Sequence, residues 1–316
     1  MISVILCSYN RAECLGATLQ SLASLRRDAA EPWELILVDN GSTDDTRARV
    51  EQARQRLALP LVYQFVERRG KSFALNAAVA VARGDLLAFT DDDVTLHPHW
   101  MLEIRRAFAR FDCSGVGGRI LPVWPSAPPA WYSVQGPDRL ARAIVEFDFG
   151  ETPFLLSVPP FGANMAFRRS VFAEHGLFRT DLGPGPGRSR VGGGGEDTEF
   201  CRRLMASGGT IAYAPGMLVY HPVEASRMTK QYFKRWYFGY GVSRVRVAPR
   251  GDTAKRYFGV PRYLLRNFAE SFLQSRLTLR PALRLRRTLE TYRLAGEIYE
   301  HFCAARRPLS SDVLGA

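Results

Sequence analysis

The sequence of 316 residues lacks paired cysteines, a long apolar run and an internal repeat. Its five cysteines are scattered and form no CxxC pair, which argues against a disulfide framework or a structural zinc site and favours a reducing compartment. No 18 consecutive residues are apolar, so we expect no membrane-spanning helix, and the N-terminus does not resemble a signal peptide. The sequence therefore indicates a cytoplasmic protein with an ordinary packed core.

Acidic residues are scarce in the last part of the chain, where Lys and Arg are abundant. Residues 226–316 carry 19 Lys and Arg against 6 Asp and Glu, whereas residues 1–225 carry 24 against 25. The whole net charge of +12 therefore belongs to the C-terminal part. This division predicts a neutral domain over residues 1–225 and a basic helical region over residues 226–316.

The first hundred residues alternate between the patterns of strands and helices. Short β-rich apolar runs are followed by segments with apolar residues at helical spacing. Strands are predicted over 3–8, 34–38, 61–66 and 86–90, with later ones over 161–167, 210–213 and 217–220, and helices over 12–25, 43–57, 72–82 and 196–207. Such alternation builds a mainly parallel sheet flanked by helices, so the predicted fold class is α/β.

Polar side chains follow three of the predicted strands. The segment Ser8-Tyr9-Asn10 ends the first strand, Asp39 follows the second, and Asp91-Asp92-Asp93 follows the fourth. The carboxyl ends of parallel strands meet at one edge of a sheet, where ligands bind. Adjacent carboxylates repel one another, and a divalent cation such as Mn²⁺ or Mg²⁺ would explain their presence. A solvated acidic turn before the next helix is the alternative.

A second acidic segment follows a tract rich in glycine. Residues 183–195 contain seven glycines and two prolines, which predicts a mobile or tightly turned loop able to close over a site. Glu196 and Asp197 then open a predicted helix, and a carboxylate there suits a catalytic base. Acidic residues in a first helical turn are also favoured by the helix dipole alone. His221, at the end of a later predicted strand, is either a structural residue or a metal ligand.

Five motifs, in this order, resemble those of the family 2 glycosyltransferases with the GT-A fold. They occupy residues 3–11, 38–44, 90–93, 162–168 and 195–200, and the resemblance covers residues 2–225. It implies an inverting enzyme that uses a divalent cation and moves a sugar from a nucleotide-sugar to a hydroxyl group. It also implies a nucleotide-binding half over about residues 1–95 and an acceptor half over 96–225.

The resemblance implies roles for individual residues. Contacts with the nucleotide-sugar are expected for Ser8, Tyr9, Asn10, Arg11, Asp39, Lys71, Asp91 and Asp92. Among these, the Tyr9 ring would lie against the base, Asp39 would accept a base N–H group, which suits a UDP-sugar, and Asp91 would touch the ribose.

The remaining roles concern the metal, the base and the sugars. Asp93 and His221 would hold the metal. Asp197 and Glu196 would be the catalytic residues, with Asp197 as the base and Glu196 beside the acceptor or donor sugar. Sugar contacts are also expected for Gly162, Ala163, Asn164 and Trp124.

One motif departs from the processive members of the family, which carry QxxRW after this point. Here three residues instead of two separate Gln231 from Arg235-Trp236, and no membrane helices follow, so a single transfer is expected. Sugar-1-phosphate nucleotidyltransferases share a similar fold, but residues 8–11 do not resemble their Gly-rich signature. A non-catalytic protein that only binds nucleotide-sugar or carbohydrate is a further alternative, and the presence of both Asp93 and Asp197 argues against it.

The basic C-terminal region contains arginines at helical spacing. Arg276, Arg280, Arg284 and Arg287 predict a basic amphipathic helix that could lie on an anionic membrane surface and bring the enzyme to the cytoplasmic face, where lipid-linked acceptors are presented. A solvated helical appendage or an oligomer contact is the alternative. No nucleic-acid motif accompanies the charge, so we expect no nucleic-acid partner.

Overall fold

The structure, a computed structural model, describes residues 1–27, 31–132, 140–186, 194–248 and 254–306. The strands within these ranges are β1 (Ile2–Ser8), β2 (Trp33–Asp39), β3 (Leu61–Phe65), β4 (Leu86–Thr90), β5 (Thr95–Leu96), β6 (Gly115–Val123), β7 (Phe154–Leu155), β8 (Asn164–Arg168), β9 (Ile211–Pro222), β10 (Arg256–Tyr257) and β11 (Val260–Pro261). The helices are α1 (Leu15–Ala23), α2 (Thr46–Leu57), α3 (Lys71–Val81), α4 (Trp100–Arg110), α5 (Ser170–His175), α6 (Glu196–Ala206), α7 (Lys230–Val247), α8 (Arg262–Leu277) and α9 (Pro281–Ala304).

The described residues fall into two compact units. The first contains residues 1–27, 31–128, 141–186 and 195–227. The second contains residues 129–132, 140, 194, 228–248 and 254–306. The second unit thus also includes residues 129–132, 140 and 194, which lie inside the range 1–225 that the charge distribution assigned to the first domain.

A mixed sheet forms the centre of the first unit. Its strand order is β3-β2-β1-β4-β8-β6-β9-β5, with β7 paired to β9. Strands β3, β2, β1 and β4 run parallel, and Ser8 at the end of β1 lies opposite Asp39 at the end of β2. Every residue of β2 is buried, as expected for a parallel strand covered on both faces. The predicted α/β fold is confirmed, and three strand ends meet at one edge.

Two helices begin three residues later than predicted. Helix α1 starts at Leu15 instead of residue 12, and α2 starts at Thr46 instead of residue 43. Residues 12–14 and 43–45 instead belong to the loops that follow β1 and β2. These loops are hydrogen-bonded to each other, because the Asp44 carboxylate accepts the backbone N–H groups of Ala12 and Thr46, both at 3.1 Å. The loops that follow β1 and β2 are therefore joined beside the shared edge.

Strand β9 replaces two short strands predicted over residues 210–213 and 217–220. It pairs in parallel with β6, but the register shifts between Gly118, which lies opposite Ala214, and Arg119, which lies opposite Leu218. The buried Asn164 side chain fixes this shift, since its Nδ2 donates to the carbonyls of Arg119 at 2.9 Å and Met217 at 2.7 Å. β9 therefore continues past the shift to residue 222.

Close contacts between helices build the second unit. Helices α7 and α9 approach through Gly241 and Gly296, where a Cβ atom would overlap the backbone carbonyls of Arg293 and Phe238, respectively. Ion pairs with buried glutamates join the same helices: Arg244–Glu297 at 2.6 Å and Arg246–Glu300 at 2.9 Å.

The predicted basic helix across residues 276–289 is wrong. Helix α8 ends at Leu277 and α9 begins at Pro281, so Arg276 and Arg284 lie on different helices, with Arg280 between them. Proline disfavours helical backbone in the residue before it, and the ψ of Arg280 is 116°. Within the described ranges, every helix is too short or too polar to cross a bilayer.

Replacement of Gly118 by alanine tests the packing around the register shift. The new Cβ would overlap the side-chain amide of Asn164 and the carbonyl of Met217, so we expect Gly118→Ala to lower the free energy of unfolding by about 1–3 kcal/mol, as overpacking does. Gly16→Ala is the control, because no atom lies within 4 Å of its new Cβ, and it should stay within about 1 kcal/mol of the wild type. Urea unfolding measures both, and equal stability of the two variants would contradict this packing.

Candidate active site

Asp91, the first aspartate after β4, forms a close ion pair with Lys71. The Lys71 Nζ atom lies 2.6 Å from Asp91 Oδ1, and Lys71 is the first residue of α3. Burial would raise the pKa of Asp91, but the charge of Lys71 and its hydrogen bond lower it below the ordinary value. Asp91 therefore stays ionised within the protein.

Asp92 has a different environment from its neighbours. Its carboxylate accepts the Ser8 hydroxyl at 2.6 Å, and both residues are buried. Burial raises the pKa of Asp92 to about 6, the bond from Ser8 opposes the rise, and the charges of Asp93 and Asp91 add to it. The side chains of Ser8 and Asp92 thus bind each other and join the ends of β1 and β4, and their expected contacts with a nucleotide stay predictions.

Asp93 faces two groups that carry or can carry positive charge. The Nη2 atom of Arg11 lies 3.5 Å from its Oδ2, and Nε2 of His221 lies 3.7 Å from its Oδ1. Nδ1 of His221 lies 3.0 Å from the Pro222 carbonyl, which leaves Nε2 toward the aspartate. Arg11 also lies 3.8 Å from Glu224, a residue that no sequence motif indicated.

Asp91, Asp93 and His221 form a group with the chemistry of a metal site. One ligand atom from each lies within 4.8 Å of the others. Two carboxylate oxygens and one imidazole nitrogen suit Mn²⁺ or Mg²⁺, and the mixed donors favour Mn²⁺. The two predicted ligands are brought together, and Asp91, predicted as a ribose contact, is the third member.

Glu196, the first residue of α6, is buried, and the charges of Asp197, Lys71 and Asp91 act on its carboxyl group. No hydrogen-bond donor reaches its buried Oε2 atom within the described part of the chain. Burial raises the pKa of Glu196 to about 7, the charge of Asp197 adds to the rise, and Lys71 opposes it. The carboxyl group therefore titrates near neutral pH.

Asp197 is held by backbone N–H groups on both of its carboxylate oxygens. Gly162 donates to Oδ2 at 2.8 Å, and Thr198 donates to Oδ1 at 2.6 Å. The Asp197 side chain is half-buried, so it can still meet a ligand. Its charge also raises the pKa of Lys71, as do those of Asp91 and Glu196. The predicted base and the predicted donor-site lysine therefore belong to one site.

Asp39 and Asn10 organise the adjoining loops. Asp39 Oδ1 accepts the Ser42 N–H group at 2.8 Å, and Oδ2 accepts the Tyr63 hydroxyl at 2.8 Å. Asn10 has a left-handed φ of 51°, and its Oδ1 accepts the Thr43 N–H group at 2.8 Å. Asn10 is exposed and Asp39 is buried, and their predicted nucleotide contacts stay predictions.

Two residues that were not predicted shape the loop between β3 and α3: Asn40, which follows β2 and binds this loop, and Arg69, which belongs to it. Asn40 Nδ2 donates to the carbonyls of Val66 at 3.3 Å and Arg68 at 2.9 Å, and its Oδ1 accepts the Gly70 N–H group at 2.7 Å. The Arg69 guanidinium lies 5.1 Å from the centre of the Tyr9 ring, which was expected to face the base. The position of Asn40 beside Asp39 was the one signal for its role.

Two residues predicted to contact a sugar are buried, and their sugar contacts stay predictions. The Asn164 side chain is completely buried and holds the register shift of β9, and Trp100 Nε1 donates to its Oδ1 at 2.8 Å. Ala163 is also buried, and its carbonyl accepts the Thr90 hydroxyl at 3.2 Å. Trp124, also predicted to contact a sugar, is half-buried just after β6.

The loop predicted to close over the site spans residues 183–195, and its residues 187–193 lie outside the described part of the chain.

Comparisons with known proteins assign the chain to a family. The model of Glycosyl transferase family 2 matches residues 3–176, more than half of the chain. Succinoglycan biosynthesis protein ExoM of Rhizobium meliloti is 27% identical over 250 residues, which are 78% of this chain and 74% of that protein. Glucosyl-dolichyl phosphate glucuronosyltransferase of Haloferax volcanii is 28% identical over 187 residues, or 58% of this chain and 57% of that protein.

A solved structure shows the same fold. Mannosyltransferase PcManGT from Pyrobaculum calidifontis, in complex with GDP-Man and Mn²⁺, superimposes with a TM-score of 0.59 at 19% identity and covers 96% of this chain and 85% of that one. At that identity the likeness concerns the fold alone. Together with the match to the family model, it identifies the chain as a member of the family 2 glycosyltransferases, with the GT-A fold.

Proposed function

We propose that this glycosyltransferase moves one sugar from a nucleotide-sugar, best a UDP-sugar, to a hydroxyl group of a glycan or polyprenyl-linked acceptor, with inversion. The observation that carries the proposal is the grouping of Asp197, the Lys71–Asp91 pair and the Asp91–Asp93–His221 set in the first unit. The names of two relatives, which concern succinoglycan and a dolichyl phosphate sugar, support a role in cell-surface polysaccharide or glycoconjugate synthesis.

Asp197 acts as the base in the proposed mechanism. Its carboxylate takes the proton of the acceptor hydroxyl while that oxygen bonds to the anomeric carbon and the bond to the nucleoside diphosphate breaks. The N–H groups of Gly162 and Thr198 hold the carboxylate in one orientation, so its position does not depend on the acceptor. A single displacement of this kind inverts the anomeric centre.

A metal ion supplies positive charge to the donor diphosphate in the proposed mechanism. Asp91, Asp93 and His221 would hold a Mn²⁺ or Mg²⁺ ion, which would stabilise the negative charge of the leaving diphosphate. Lys71 binds Asp91 and so orients one of these ligands. Asp39, held by Ser42 and Tyr63, presents an acceptor suited to the N–H group of uracil. The retention of both Asp93 and Asp197 disfavours a non-catalytic binding protein.

The second unit is proposed to contact an anionic membrane surface. Its excess of Lys and Arg attracts anionic headgroups, and a polyprenyl-linked acceptor would be presented there. The enzyme would then act as a peripheral protein on the cytoplasmic face.

Replacement of the base separates chemistry from donor binding. Asp197→Asn keeps the shape of the side chain but removes its basicity, so we expect the turnover number to fall by about 10²–10⁴-fold with little change in donor affinity. Glu174→Gln, at an exposed glutamate, is the control. A transfer assay and a calorimetric titration with donor measure the two effects, and near-normal turnover by the Asn variant would exclude Asp197 as the base.

Loss of the imidazole tests the metal site. His221→Ala removes one of three ligands, so we expect the Mn²⁺ concentration for half-maximal activity to rise at least about tenfold. His99→Ala is the control, because that ring contacts Arg26 and no aspartate of the site. An unchanged Mn²⁺ dependence in the His221 variant would remove His221 from the site.

The raised pKa of Glu196 predicts how stability changes with pH. Its pKa is about 7 in the folded protein against 4.5 normally, so its contribution to stability is complete below about pH 4.5 and is lost as the pH rises through 7. Glu196→Gln should therefore show a smaller decrease in the free energy of unfolding over this range. Urea unfolding at several pH values, with chelator present, makes the measurement; parallel curves for wild type and variant would show that Glu196 ionises as in the unfolded chain.

A further inference from the structure

A cavity of about 600 Å³ lies within the second unit, lined by residues of α7, α8 and α9. Three of its lining residues are cationic, namely Lys234, Arg276 and Arg284. Within the described ranges, none of these three forms an ion pair with a carboxylate. This differs from Arg244 and Arg246 of the same unit, which pair with buried glutamates. The cavity therefore has positive charge that no carboxylate of the described residues pairs with.

Aromatic rings form another part of the wall. Lys234 Nζ lies 5.7 Å from the centre of the Tyr292 ring, and the Arg276 guanidinium lies 5.1 Å from that of Phe272. Phe268 also lines the cavity and stacks with Phe272 at 6.4 Å between ring centres. Rings at these distances hold the cations near an apolar surface. A ligand for this cavity thus combines negative charge with an apolar part.

Large apolar side chains are exposed on and just after α8, the helix that carries Arg276. Leu273, Leu277 and Leu279 are 58%, 70% and 92% exposed, respectively. Exposed leucines beside Lys and Arg are typical of helices that lie in a membrane interface. Nucleic acid would meet the cations but would leave these leucines in water, so the combination favours a lipid.

We infer that this cavity binds the phosphate headgroup of an anionic membrane lipid, with Leu277 and Leu279 entering the acyl region. Lys234, Arg276 and Arg284 contact the phosphate, and the aromatic wall covers the glycerol and upper chain. The inference rests on the proposed membrane contact of the second unit and gives it a defined site. It replaces a continuous basic helix with a pocket that three helices build together.

Vesicle co-sedimentation of the full-length protein tests the site. Vesicles of phosphatidylcholine alone are compared with vesicles that also contain phosphatidylglycerol, with no donor, metal or acceptor present. We expect the wild type to bind only the anionic vesicles, and Lys234→Gln/Arg276→Gln/Arg284→Gln to bind about 100-fold more weakly, at about fivefold for each charge lost near the surface. Leu277→Ser/Leu279→Ser should also weaken binding while it keeps all three cations.

A matched variant controls for net charge. Arg235→Gln/Arg262→Gln/Arg266→Gln removes three exposed cations that do not line the cavity, and its vesicle affinity should stay within about fivefold of the wild type. Equal losses in the two triple variants, or no binding by the wild type, would overturn the site. Binding of a labelled oligonucleotide that depends on the same three cations, without vesicle binding, would also overturn it in favour of nucleic acid.

The lipid test and the transfer test are independent. Donor-induced thermal stabilisation of the cavity variant shows that it is folded and that its first unit is intact. Loss of vesicle binding with normal transfer to a water-soluble acceptor leaves the proposed chemistry in place. Vesicle binding without any transfer contradicts the proposed chemistry and leaves the lipid site in place.

Discussion

The ion pair between Lys71 and Asp91 is the interaction on which the candidate active site depends. Carboxyl groups of Asp92, Asp93 and Glu196 lie in the same environment, and like charges held away from water are costly. The Lys71 ammonium group, 2.6 Å from Asp91, keeps one carboxylate ionised and opposes the rise in the pKa of Glu196. An acidic site of this density is stabilised in the folded chain by the half-buried ammonium group of Lys71 within it.

The position of that cation follows from the end of a neighbouring strand. Asn40 comes directly after β2 and binds three backbone groups of the loop that leads into α3. Gly70 closes the loop at a φ of 139°, which favours glycine, and Lys71 begins the helix. An aspartate in place of Asn40 would lose the two donated bonds. The parallel sheet thus positions Lys71 through one amide side chain.

The sequence predicted the sheet well because its signal is local. Apolar runs, turn residues and polar strand ends can be read from neighbours in the chain, and they indicated the edge that carries Asp39 and the aspartates after β4. Distant contacts leave no such signal. Asn164 belongs to a family motif, but only its burial between β6 and β9 shows that it is structural. The break between α8 and α9 had a local signal, the proline at position 281, but the regular spacing of the arginines suggested one continuous helix.

The register shift of β9 sets the position of His221 in the candidate metal site. Residues 215–217 have no partner on β6, and they advance the rest of the strand so that His221 lies opposite Pro122. In an unshifted pairing, Pro122 would face Leu218, and the imidazole would lie three residues, or about 10 Å, further along the strand. Asn164 and the missing side chain of Gly118 hold the shift in place. The length of this irregular segment therefore decides whether His221 and Asp93, which are distant in sequence, lie next to each other.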